Sequence, residues 1–109
     1  MPIAYKVLGQ SAPSATTNTT IYTCPAATQT VVSSVVVCNR SATPGTFRVA
    51  VRPNGDALAN QHYVAYDSPV LGNETVSFSI GLTVDATDLV VVYASSADMT
   101  FSLFGSEIT

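Results

Sequence analysis

The chain is poor in charge. Charged residues fill 10% of its 109 positions, against roughly 25% in an ordinary soluble domain. Beside 47% hydrophobic residues, that scarcity excludes a disordered chain, which needs low hydrophobicity and high charge. It also leaves a surface built largely of Ser and Thr poorly protected against association, so neighbours are expected to cover much of it. Only four basic residues occur, Lys6, Arg40, Arg48 and Arg52, within a net charge of −3. No nucleic-acid partner is expected, because phosphate binding needs a clustered basic field. Tryptophan is absent and histidine occurs once, as His62. Cys24 and Cys38 form no CxxC pair and have no His at metal spacing, so no metal or other cofactor is expected. Each reads as a small hydrophobe in a strand, and a disulfide between them stays open. No apolar run reaches membrane-spanning length. The opening MPIAYKVLGQ lacks the charged start and long apolar region of a signal peptide. Folding in the cytosol, with no membrane partner, is the expectation.

Helical periodicity is missing as well, and what is present is alternation at period two. The centre is Thr30 to Arg52, TVVSSVVVCNRSATPGTFRVAVR. In Gln29–Asn39, counting by two puts Val31, Val35 and Val37 on one face with Ser33. It puts Val32, Val36 and Cys38 on the other with Ser34. The β-branched run favours a strand. Being apolar on both sides, it should meet the core on one face and a second layer or another subunit on the other. Phe47, Val49 and Val51 then alternate with Arg48, Ala50 and Arg52, a half-buried strand with a polar face. Pro44-Gly45 is the turn signal expected to close these two strands into a hairpin. Further strands are expected at Ala4–Gln10, Thr20–Cys24, His62–Asp67, Thr75–Ile80, Asp88–Ala94 and Met99–Leu103. Asn54-Gly55 suits a turn with positive φ. Pro69 should interrupt a strand, and Gly81–Thr87 reads as a connection. YKVLGQ near the start and FSLFGSE near the end share a pattern and are expected to pair.

The sum is one all-β domain over residues 1–109, a sandwich of about eight antiparallel strands, jelly-roll-like or immunoglobulin-like. Its expected core is Val7, Val35, Val37, Phe47, Val49, Val51, Val76, Phe78, Ile80, Val91, Phe101 and Leu103.

Reactive constellations do not assemble from these residues. His62 and Asp67 are five apart and would point to opposite faces of a strand. There is no GxSxG elbow, and no enzyme is expected. The carboxylate pairs Asp85 with Asp88 and Glu74 with Asp67 are the candidates for glycoside hydrolysis, which uses two carboxyl groups on either side of a sugar. Asp85 and Asp88 read better as turn residues satisfying local backbone donors, and the calcium pattern DxDxDG is missing. Asn18, Asn39 and Asn73 begin glycosylation-type triplets, which arise by chance in a chain this rich in Ser and Thr. Tyr5, Tyr22, Tyr63, Tyr66 and Tyr93 could bind a glycan or sit at subunit contacts. The two-sided strands favour contacts. Arg40, Arg48, Arg52 and Tyr66 are the expected interface residues, lying on or beside the central strands and outside the core.

Three segments together, AYKVLGQSAPSATTNTTIYTCPA, VVSSVVVCNRSATPGTFRVAVRPNG and MTFSLFGSEIT, resemble small virion structural proteins of tailed bacteriophages, especially phages of cyanobacteria and marine bacteria. The resemblance covers nearly the whole chain and lies in overall pattern rather than in a catalytic motif. It implies a non-enzymatic structural protein of the tail, baseplate, collar or fibre-attachment region. Such a protein would be assembled in the bacterial cytoplasm and located in the virion. Its partners would be other copies of itself, in oligomers such as trimers, and other virion proteins. A capsid decoration protein clamping capsomers is the alternative within that class. A glycan-binding module for host-surface recognition is the alternative outside it.

Overall fold

The structure is a computed structural model that describes residues 2–109. It contains nine strands and, among the described residues, no α-helix. They are β1 (Ile3–Ser11), β2 (Thr19–Thr23), β3 (Gln29–Asn39), β4 (Gly45–Arg52), β5 (Tyr63–Val70), β6 (Thr75–Phe78), β7 (Leu82–Val84), β8 (Leu89–Ala94) and β9 (Met99–Ile108). Two antiparallel sheets pack as a sandwich. Sheet I runs β1-β9-β3-β6, with β7 pairing the first part of β3, and sheet II runs β2-β8-β4-β5.

The pairings are nested. β1 pairs with β9, β2 with β8, β3 with β6 and β7, and β4 with β5. A long hairpin has thus been rolled up until β9 also meets β3 and β8 also meets β4. That connectivity is the jelly roll, one of the two sandwich types expected from sequence. The expected pairing of the first and last strands is present, with Tyr5 opposite Ser106 and Val7 opposite Phe104.

The central pair is not a hairpin. β3 lies in sheet I and β4 in sheet II, so Asn39 to Gly45 carries the chain from one sheet to the other. The two strands meet through their side chains, with Val35, Val37, Phe47 and Val49 in one core cluster. Burial drives this: both strands have an apolar face, and facing sheets cover both at once. Asn39 secures the crossover. Its amide donates to the carbonyls of Thr43 and Leu71, and its Oδ1 accepts from the Ser41 N–H.

Other strands end where sequence did not place them. Pro69 does not stop β5, which runs on to Val70 opposite Gly45. β5 is an edge strand, where a residue without an N–H is tolerated. Within Gly81–Thr87 lies β7, opposite Thr30–Val32 of β3. Of the expected core, Val35, Val37, Phe47, Val49, Phe101 and Leu103 are buried in the main cluster, and Val51, Val76 and Phe78 pack against it. Val91 is buried too, though outside that cluster. Val7 and Ile80 are exposed instead. Leu8 takes the inward position on β1, beside a bulge between Val7 and Gly9. Ile80 falls beyond the end of β6, just before a kink at Gly81 with φ +62°. A second bulge, between Val32 and Ser34, resets the faces of β3. Val32 joins Val35 and Val37 in the core, while Val31, Ser34, Val36 and Cys38 face outward.

Candidate functional site

The outer face of sheet II is built around Arg48. β4 places it opposite Tyr93 of β8. On its other side β5 is irregular: Phe47 is opposite Ser68 but Val49 is opposite Ala65. Two residues, Tyr66 and Asp67, therefore oppose the single Arg48, the arrangement of a β-bulge, which commonly re-aims a side chain. Asp67 has φ 49° at this point. The result is a clamp. The guanidinium lies 4.1 Å from the Tyr66 ring centre and 4.2 Å from that of Tyr93. Its Nε and Nη2 donate to the two Asp67 carboxylate oxygens at 2.7 and 3.3 Å. The pairing with Asp67 pushes the guanidinium pKa up, so its charge is fixed. Tyr63 stands edge-on to Tyr66, with ring centres 4.9 Å apart.

Of the four residues expected at an interface, Arg48 and Tyr66 are thus in contact. Arg40 and Arg52 are not part of the clamp. Arg40 donates to the Ala97 carbonyl and ties the β3–β4 crossover to the β8–β9 connection. Arg52 donates to the carbonyls of Gly55 and Asp56 and holds the turn after β4. Asp67 and Tyr93 belong to the clamp and were not among the expected residues. Neither is visible at local spacing, because cross-strand register brings them to Arg48.

The outer face of sheet I is different in kind. Alternation from Leu8 inward puts Ile3, Tyr5 and Val7 outward on β1, and they are exposed. Beside them run Phe104, Ser106 and Ile108 of β9, then Val31, Ser34, Val36 and Cys38 of β3. The only charged strand residues in this sheet, Lys6 and Glu107, turn the other way. Lys6 lies opposite Gly105, and Glu107 reaches across to Tyr22 of sheet II. Among the described residues, the outer face of sheet I therefore carries strand charge only at its edge, where Lys6, paired with Glu107, borders a hollow. A shallow hollow of about 500 Å³ lies there, lined by Tyr5, Lys6, Val7, Ser33, Phe104, Gly105 and Ser106.

Between the sheets, at the end near Glu107, lies a polar chain. Lys6 Nζ donates to Glu107 Oε1 at 2.8 Å, and Tyr22 Oη donates to Glu107 Oε2 at 2.5 Å. The Tyr22 oxygen meets Thr30 Oγ1 at 2.8 Å, and Thr30 meets Cys24 Sγ at 3.3 Å. Lys6, and then Tyr22, hold the Glu107 carboxyl below its ordinary value. Burial and the neighbouring carboxylate push the Tyr22 phenol well above its own. Cys24 and Cys38 are both free thiols, Cys24 buried and Cys38 half-buried.

The remaining candidates are held by backbone. Asp88 accepts from the N–H groups of Asn54 and Asp85, each at 2.8 Å, and Asp85 accepts from Ala86. The bonds from Asp85 and Ala86 are the local backbone bonds expected of turn residues, while the one from Asn54 ties this turn to the connection after β4. The two carboxylates border a hollow of about 350 Å³ with Thr30 and Val84. His62 is buried, and its Nδ1 accepts from the Ala59 N–H. It lines none of the four hollows described on this molecule. Among the described residues, no group of three or more His, Cys, Asp or Glu is placed to hold a metal ion. No protein-family model matches the chain, and no curated protein matches its sequence.

Proposed function

We propose that this chain is a non-enzymatic structural subunit of a tailed-bacteriophage virion, in the tail, baseplate, collar or fibre-attachment region, working by contact with neighbouring subunits. The observation that carries it is the apolar outer face of sheet I, with Ile3, Tyr5 and Val7 exposed on it. Contiguous exposed apolar area of this kind marks an interaction site more often than a free surface. Two further features support the role. The segments quoted above resemble small virion proteins. The jelly roll recurs in viral capsid and lectin domains, although a fold alone does not assign a function. In this role the Arg48–Tyr66–Tyr93 clamp is a contact point for other virion proteins, since Arg and Tyr are enriched where interfaces concentrate their energy.

Quantitative mass spectrometry of purified particles, separated into heads and tails, tests the role. The chain is expected in the tail fraction at tens of copies or fewer. Hundreds of copies on heads would make it a decoration protein instead. Absence from both would overturn the virion role.

One observation favours a second reading. Tyr66 is 57% exposed beside a guanidinium and a carboxylate, and an exposed ring next to polar groups is how small sandwiches hold sugars. Glycan-array binding by the protein, lost in Tyr66→Ala, would support a host-glycan role. A flat array would remove it.

A further inference from the structure

We propose that the outer face of sheet I is where two copies of this chain pair, related by a two-fold axis. This names the self-contact within the assembly role above and rests on that reading. Three features of the face select a second copy as its occupant.

The first is charge. Each copy carries a net charge of −3, so two copies repel at long range. They can approach most closely through the face that brings no negative strand charge into the contact and is bordered only by Lys6. The outer face of sheet II lacks this property, because Arg48 and Asp67 stand on it.

The second is shape. Tyr5 is 83% exposed, the most exposed large hydrophobic side chain among the described residues. It stands at the border of the 500 Å³ hollow formed with Lys6, Val7, Ser33, Phe104, Gly105 and Ser106. A two-fold contact uses the same patch twice, so a projection and a hollow on one face can fill each other. Tyr5 of each copy enters the hollow of the other. The ring is buried among apolar side chains and Ser33 and Ser106 offer partners for its hydroxyl, which suits an amphipathic aromatic.

The third is area. Sheet I is four strands wide, because β6 and β7 share one side of β3. Four strands at about 4.8 Å and ten residues at about 3.3 Å give a face of roughly 600 Å². Two such faces bury about 1,200 Å², the lower bound for a specific, stable pair.

The test is sedimentation velocity on the purified chain over a concentration series, for the wild type, Tyr5→Lys, Val7→Lys and Tyr66→Ser. The wild type is expected to sediment as two chains. Both lysine variants should dissociate with a constant raised about a hundredfold, as for loss of an interface hot spot, while Tyr66→Ser should pair normally. Tyr5 and Val7 are both substantially exposed, so cooperative melting transitions will show that these variants fold. A wild type that stays monomeric, a trimeric mass, or lysine variants that pair like the wild type would each overturn the proposal. So would a monomeric wild type whose Tyr5→Lys form is lost from particles, since the face would then serve a different protein. A pair that forms as stated in a chain absent from particles would overturn the virion role and leave the pairing intact.

Discussion

Removing one oxygen from Tyr22 should test whether the polar chain between the sheets contributes to stability. Tyr22 is buried, as is Thr30, and the Glu107 side chain is only 12% exposed. In Tyr22→Phe the ring still fills its place, but Glu107 Oε2 loses its donor and Thr30 loses its partner. A hydrogen bond to a charged group is worth about 1.5–3 kcal/mol, and a buried group left unpaired costs about as much as its desolvation. Lys6 still holds Oε1, so the carboxylate is not abandoned, and the expected loss is about 2–3 kcal/mol. For 109 residues the entropy of unfolding is about 0.23 kcal/mol/K, so the melting point should fall by about 9–13 °C.

The pH profile separates this mechanism from a packing fault. The folded-state pKa of Glu107 lies below its ordinary value, so its contribution is present above the unfolded-state pKa. It is lost as pH falls through the folded one. Part of that depression comes from Tyr22, so the gap between wild type and variant should shrink below about pH 4. The Tyr22 phenol is raised, so the wild type loses stability as pH climbs past about 10, and the variant lacks that component of the alkaline decline. Urea unfolding of both proteins across this range reads all three effects. Equal stability at neutral pH, or a gap that stays constant into acid, would refute the hydrogen-bonded account.

Two other substitutions follow from the geometry. At Gly105, on β9 between β1 and β3, an added Cβ would meet the Val31 carbonyl oxygen and crowd Leu8. Gly105→Ala should cost more than about 3 kcal/mol and disturb the β3–β9 register, seen as lost protection of those amides in hydrogen exchange. A variant melting within a degree or two of wild type would show that the strands adjust freely. Asn39→Ala removes three hydrogen bonds at the crossover between sheets and should cost about 2–3 kcal/mol in urea unfolding. A change below the error of the extrapolation would mean that the 40–44 loop is held by other contacts.

What sequence conveyed well was local. The ends of β3 are Gln29 and Asn39, as β-branching and the following turn residues suggest. Asn54 and Gly55 have φ of 55° and 70°, as the Asn-Gly pair demands. The bulges were hidden, because a bulge is a mismatch between two strands and is not a property of either. One extra residue near Ser33 exchanges Val31 for Val32 as the inward side chain. Arg48 stood out as a charged residue on a half-buried strand. Its clamp could not be read, since Tyr93 lies 45 positions away and meets it only through strand register. The same limit concealed the crossover. A turn signal says that the chain reverses, and only the partners of β3 and β4 say that it also changes sheet.

The two outer faces should therefore answer to salt in opposite ways. The Arg48 clamp presents fixed charge, so a partner bound there through complementary charge is held less tightly as ions screen it. The outer face of sheet I has only Lys6, at its edge, to screen. Added salt should diminish only the mutual repulsion of two chains of net charge −3 and leave the burial of Tyr5 and its neighbours intact. Sulfate, which is excluded from protein surfaces, should strengthen that burial further. Sedimentation of the wild type in dilute buffer, in high sodium chloride and in sodium sulfate orders the three conditions. The pair is expected to be weakest in dilute buffer and tightest in sulfate. Dissociation on raising sodium chloride would mean that ion pairs hold the two copies together, and the pairing through the apolar face of sheet I would be overturned.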